Sequence, residues 1–175
     1  MISSACSRRF AYRKCDRKVF WRRNRVAATD GVIDLIPVFL FLPEEEMGFG
    51  DVYDYIITPH GKRREAGRIS LRLGESECVY YFGHIGYHVD PPYRGHRYAQ
   101  RACRLLAPMI RREGKRSVVI TADPDNVPSR RTCEGLGCRL ESVVDVPVRI
   151  QRRWEISAVK CRYIWHMDDP MPPIA

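Results

Sequence analysis

The sequence predicts an α/β domain: a mixed, mostly antiparallel twisted sheet of about six to seven strands containing one βαβ unit. Three observations predict it. Short apolar or alternating runs recur between Gly- and Pro-containing turns from Val32 to His166. One longer amphipathic pattern begins near Arg97, with Tyr98, Ala102, Leu105, Leu106 and Met109 at helical spacing. The apolar run Ser117–Ala122 follows it, as expected of a buried strand parallel to the one before the helix.

Taken in order, residues 1–30 show no apolar period and read as a basic, disordered N-terminal extension. Val32–Ile36 is the first strand. Residues 37–50 are broken by two prolines and two glycines and carry Glu44, Glu45 and Glu46, which reads as a reduced lid. Asp51–Thr58 and Glu65–Leu73 alternate as antiparallel strands around the turn Pro59-His60-Gly61-Lys62. That pattern puts Arg68, Ser70 and Arg72 on one face and Ile69, Leu71 and Leu73 on the other. Cys78–Val89 reads as the third strand of the meander, with Gly83 as a bulge. Asp90-Pro91-Pro92 ends it, because proline cannot donate to a ladder.

The helix runs from about Arg97 to Arg112 and stops at Gly114, with Arg111 and Arg112 at its negative end. After Ser117–Ala122, Asp123-Pro124-Asp125-Asn126 is a turn. Pro128 and Ser129 open a short helix that ends at Gly135–Gly137. Leu140–Val146 and Val159–His166 form a final hairpin. The loop between them is long and basic, with Arg149, Arg152 and Arg153. Residues 31–168 are thus one domain, and 169–175 are a proline-rich tail expected to fray.

Composition bounds the function. The chain has 175 residues, 45% of them hydrophobic, which suits one domain with a proper core. No apolar run reaches a membrane span, and no apolar stretch resembles a secretory signal. Seven scattered cysteines with no C-x-x-C point to free thiols in a reducing cytoplasm, bacterial by expectation, and to neither a disulfide framework nor a metal site. The net charge is +9, but residues 1–28 hold nine basic residues against Asp16 alone. The remaining 21 basic and 20 acidic residues nearly cancel. Nucleic-acid binding is therefore not expected of the domain. For the arm it competes with plain disorder and with a transit peptide.

The stretch His84–Leu106 carries the chemistry. A strand runs into Arg94-Gly95-His96-Arg97-Tyr98-Ala99 and then into a helix, with no acid before Glu113 after Asp90. A loop entering a helix presents unpaired backbone N–H groups and the positive end of the helix dipole, both of which favour a phosphate. Arg94, His96, Arg97 and Arg101 add positive charge there.

The stretches GHIGYHVDPPYRGHRYA (Gly83–Ala99) and DPDNVPSRRTCEGLG (Asp123–Gly137) resemble the motifs of the GNAT superfamily of acyl-CoA-dependent N-acetyltransferases. The resemblance spans about Ile33 to Trp165. It implies a GNAT-like sheet whose βαβ unit binds acyl-CoA. It implies acetyl-CoA as cosubstrate, no metal, a primary amine on a small molecule or peptide as acceptor, and a homodimer as a common assembly. By the same resemblance, backbone N–H groups of Arg94, Gly95, His96, Arg97, Tyr98 and Ala99 hold the pyrophosphate. A backbone N–H near Val89 polarises the thioester carbonyl, and Asn126 and Ser129 contact the pantetheine or cap their helix. Arg97 stands where the motif has a glycine, and would cost about 1 kcal/mol or more if φ is positive there.

The family's carboxylate base and tyrosine acid have no obvious counterpart. His84 and His88 lie near the base position, since imidazole exchanges protons near neutral pH. They are about 13 Å apart along a strand, too far to share one proton. Glu75, Glu77 and Tyr81 are alternatives. Cys133 stands where the tyrosine acid is expected, and a buried packing thiol is its competing role. The expected function is acetyl transfer from acetyl-CoA to a primary amine by direct attack in a ternary complex. The alternatives are a silent acyl-CoA-binding module and a nucleic-acid-associated protein acting through its arm.

Overall fold

The computed structural model describes residues 26–41 and 48–174. In chain order these form β1 (Ala28–Thr29), β2 (Ile33–Phe41), β3 (Val52–Pro59), β4 (Gly67–Arg72), α1 (Glu77–Phe82), β5 (Ile85–Val89), α2 (Tyr98–Arg112), β6 (Ser117–Ala122), α3 (Val127–Gly135), β7 (Arg139–Asp145), α4 (Val148–Trp154) and β8 (Val159–His166). Among the described residues the strands make one eight-stranded sheet in the order β1-β2-β3-β4-β5-β6-β8-β7. Only β5 and β6 run parallel, and α2 is the crossover between them. The expected mixed, mostly antiparallel sheet is present, with a slightly higher strand count because β1 adds a short edge strand.

α2 lies on one face of the sheet. Ala102, Cys103, Leu106, Ala107 and Ile110 are buried along it. They join a core with Ile33, Leu35, Ile57, Ile69, Leu71 and Ile85. Each large aliphatic side chain buried this way stabilises the fold by roughly 1.5–3 kcal/mol, so packing rather than propensity holds the helix. The opposite face carries a smaller cluster of Phe49 and Val79, with Phe82 and Trp154 packed on it. Phe82 meets Phe49 at 5.8 Å and Trp154 at 6.3 Å, both edge-on.

Four expectations need correction. Cys78–Val89 is not one strand, because Glu77–Phe82 is helical. The Ser76 side chain accepts the Val79 N–H at its start, and Gly83 takes φ 74° at its end. Only Ile85–Val89 remains extended. The first strand is longer than Val32–Ile36 and runs to Phe41, with a register break between Pro37 and Phe39. Pro37 is tolerated because β1 pairs no further along β2 than Leu35. The loop between β7 and β8 contains α4, whose Ile150 is buried. The tail expected to fray instead docks: Arg104 donates to the Pro172 carbonyl, and Met171 packs on the core.

Of the disordered extension expected over residues 1–30, the end is ordered instead: Ala28–Thr29 pair with β2 and Asp30 pairs with Arg101. Residues 1–25 and the acids Glu44–Glu46 of the reduced lid lie outside the described residues. No described helix is long and apolar enough to cross a membrane. No group of three or more described His, Cys, Asp or Glu residues could hold a metal ion.

Candidate functional site

The site begins where two parallel strands part. β5 and β6 share one register pair, Ile85 with Ile120. Beyond it, Gly86–Val89 stay paired to β4 but have no β6 neighbour. The gap opens towards the C-terminal end of β5, where a ligand of an open α/β sheet is expected.

The chain then turns through Pro91–Tyr93 into the loop Arg94–Arg97. The Arg94 Nε donates to the Val89 carbonyl at 3.0 Å, which ties the loop to the end of β5. Gly95 takes φ 85°, and a Cβ there would meet nothing within 4 Å, so backbone conformation rather than space selects glycine. Arg97 is the N-cap of α2 and sits at φ 57°, ψ 25°, with no side-chain cap on the helix. The strain expected if φ were positive is therefore present. Tyr98 stacks on Tyr93 at 6.2 Å and has His96 at 5.8 Å. The result is an exposed helix start with uncapped N–H groups, flanked by Arg94, His96 and Arg97. Arg101, by contrast, is tied to Asp30 at 2.7 Å.

The two histidines have different surroundings. The His84 side chain is 7% exposed. Its Nδ1 accepts the Val119 N–H at 3.1 Å, and its Nε2 lies 3.3 Å from Glu75 Oε1. That arrangement assigns the proton to Nε2. Burial pushes the imidazole below its ordinary range, against the opposing pull of Glu75. Lys115 also pairs with Glu75. The His88 side chain is 50% exposed, beside the strand gap, with Nε2 3.2 Å from Asp90 Oδ1. Of the other base candidates, Glu77 pairs with Arg149, and Tyr80 and Tyr81 meet edge-on at 5.0 Å.

On the α2 side of the gap, Cys133 is fully buried. Burial and the neighbouring Cys133 push the Cys103 thiol well up. The Tyr87 hydroxyl lies 2.9 Å from Ser129 Oγ, and burial raises that phenol well above its ordinary range. Asn126 Oδ1 accepts the Ser129 N–H at 3.2 Å, so Asn126 caps α3.

On the opposite face a polar row crosses three strands. Asp54, Ser70 and Gly86 are register partners on β3, β4 and β5. Burial pushes the Asp54 carboxyl above the usual carboxylate range, although Ser70, Arg72 and Arg68 pull the other way. Its Oδ1 is buried with no hydrogen-bond partner. Arg72 donates to the Gly83 carbonyl at 3.2 Å and lies 4.9 Å over Phe49. Arg68 pairs with Glu65 at 2.7 Å. Sequence reading missed Tyr87, Asp54 and Asp90. The alternation of β3 with β4 was the signal that could have found Asp54, because it sets Asp54 opposite Ser70.

A model of the GNAT acetyltransferase domain matches residues 12–139. Solved structures agree in fold. A GNAT-family acetyltransferase from Bacillus anthracis is 21% identical, with a TM-score of 0.53, over 66% of this chain and 67% of that one. The ribosomal-protein-S5-alanine acetyltransferase from Vibrio fischeri is 18% identical, with a TM-score of 0.54, over 75% of this chain and 68% of that one. A microcin C7 self-immunity acetyltransferase, solved with acetyl-CoA and AMP, is 21% identical, with a TM-score of 0.51, over 66% and 61%. No curated protein matches the chain in sequence.

Proposed function

The chain belongs to the GNAT acetyltransferase family, and from that premise we propose that it transfers an acetyl group from acetyl-CoA to a primary amine by direct attack in a ternary complex. The observation that carries this reading is the gap between β5 and β6 opening beside the uncapped, basic start of α2. The helix start suits a pyrophosphate and the gap suits the pantetheine arm. The match of a relative solved with acetyl-CoA supports the same cosubstrate.

In this proposal the N–H groups of Gly95, His96, Arg97, Tyr98 and Ala99 bind phosphate, and Arg94 adds charge. A backbone N–H near Val89 faces the thioester oxygen, where a fixed donor stabilises the developing oxyanion. His88 takes the amine proton, and Asp90 orients its imidazole. The imidazolium so formed returns the proton to the departing thiolate. His84 has no such freedom, because both ring nitrogens are engaged. Cys133 packs α3 and Ser129 holds Tyr87 in place. Cys133, fully buried where a proton donor is expected, favours a second reading, an acyl-CoA-binding module without turnover.

Calorimetric titration with acetyl-CoA and with CoA, followed by thiol release in the presence of amines, tests both readings. Binding of both ligands is expected. Gly95→Glu should weaken binding by about tenfold or more, because it adds like charge and a side chain where φ is positive. Unchanged affinity in that variant would sink the phosphate-loop assignment. Binding without thiol release for any amine would favour the silent module.

A further inference from the structure

The turn between β3 and β4 carries three consecutive cations, Lys62, Arg63 and Arg64, all exposed. A buried carboxylate fixes this turn. Asp34 is 4% exposed. Its Oδ1 lies 2.8 Å from His60 Nδ1, and its Oδ2 accepts the Gly61 N–H at 2.9 Å. The Lys62 N–H donates to the Pro59 carbonyl at 2.9 Å and closes the turn. The far leg joins the end of β5: Gly67 pairs with Val89, and the Asp90 N–H donates to the Ala66 carbonyl at 2.9 Å. The basic turn and the loop Arg94–Arg97 therefore leave the sheet side by side, from strands about 4.8 Å apart. The acids of this corner are already matched: Asp30 with Arg101, Asp34 with His60, Glu65 with Arg68 and Asp90 with His88. Lys62, Arg63 and Arg64 have no hydrogen bond or ion pair among the described residues.

Resting on the acetyltransferase reading, we propose that Lys62, Arg63 and Arg64 bind the ribose 3′-phosphate of the cosubstrate, so that the protein distinguishes acetyl-CoA from its 3′-dephospho form. The helix start and the gap take the pyrophosphate and the pantetheine arm. The 3′-phosphate is the anionic group of the cosubstrate that they leave unmatched, and one ribose separates it from the pyrophosphate. A phosphate monoester carries nearly two negative charges at neutral pH and three acceptor oxygens. Adjacent guanidinium forks and an ammonium suit both the charge and the geometry of such a group. Three like charges on a fixed turn repel one another, and a bound dianion relieves that repulsion.

The test is calorimetry of the full chain with acetyl-CoA and with 3′-dephospho-acetyl-CoA at about 0.15 M salt, where charges more than about 8 Å apart are largely screened. The wild-type protein should bind acetyl-CoA about tenfold more tightly than the dephospho form. In the triple variant Lys62→Ala, Arg63→Ala, Arg64→Ala the two ligands should bind alike, at the affinity the wild type shows for the dephospho form. Where the triple variant fails to fold, Arg63→Gln with Arg64→Gln keeps the side-chain length and should still lose most of the preference. A wild type that binds both ligands alike would overturn the 3′-phosphate site and leave the acetyltransferase reading standing. So would a variant that weakens both ligands equally and keeps the wild-type ratio, because the turn would then act only through its overall charge. Absence of binding by either ligand in the wild type would overturn both readings.

Discussion

His84 and His88 are four residues apart, the first at the bend just before β5 and the second within that strand. The first is walled in between β4 and β6. The Arg72 N–H donates to its carbonyl at 2.7 Å, and its own N–H donates to Val119 at 2.7 Å. The second lies past the point where β6 departs, paired on the β4 side only. One side chain is spent on structure and the other is left with a carboxylate partner and solvent. The difference arises from strand pairing, not from residue type. A splayed strand converts one end of a sheet into a reactive edge while the other end stays locked.

The sharpest way to break this contrast is to exchange the roles of the two residues. His88→Asn keeps a polar side chain of similar size but removes the proton acceptor. Turnover should fall by about a hundredfold, within the usual range for loss of a general base. Acetyl-CoA affinity should stay within about twofold, because no hydrogen bond ties His88 to the loop. Thiol-release rates at saturating acetyl-CoA measure this. Full activity in His88→Asn, with loss of activity in a folded His84 variant, would reverse the assignment.

A smaller effect belongs to the locked end. His84→Ala leaves the Val119 N–H unsatisfied and should cost about 1–3 kcal/mol in stability, read from denaturant midpoints. The wild-type protein should also lose stability in mild acid. The folded His84 imidazole titrates below its unfolded value, because burial penalises the charged form. The neutral form's contribution is therefore complete above about pH 6.5 and fades as pH drops through the unfolded value. The alanine variant should lack that component of the slope. An equal slope in both proteins would mean that His84 is not the group being titrated.

The same contrast explains what the sequence reveals and what it hides. The loop Arg94–Ala99 and helix α2 are legible because their signals are local: two prolines, a glycine, and apolar residues at helical spacing. β3 and β4 are legible from alternation. α1 is not, because Val79, Tyr80, Tyr81 and Phe82 favour strands, and six residues give too little periodicity to outweigh them. Its helix depends on the Ser76 cap and the positive φ of Gly83. The separation of His84 from His88 is hidden for another reason. It depends on which strand lies next to each, and that is fixed by a crossover more than twenty residues further along the chain. Asp54 is hidden likewise, since its burial depends on cross-strand neighbours.

The smallest effect sits at the rim of the open end. Arg97 adopts a left-handed conformation that costs a non-glycine residue about 1 kcal/mol. Arg97→Gly removes that strain but frees the unfolded chain, so the net gain in stability should be about 0.5 kcal/mol. The substitution keeps the backbone N–H while deleting one positive charge. Acetyl-CoA affinity should therefore fall by no more than about threefold at moderate salt, where an exposed charge contributes little. A loss of tenfold or more would assign phosphate binding to the side chain instead of the backbone. A gain in affinity would show that the strain in Arg97 holds the loop back from its ligand.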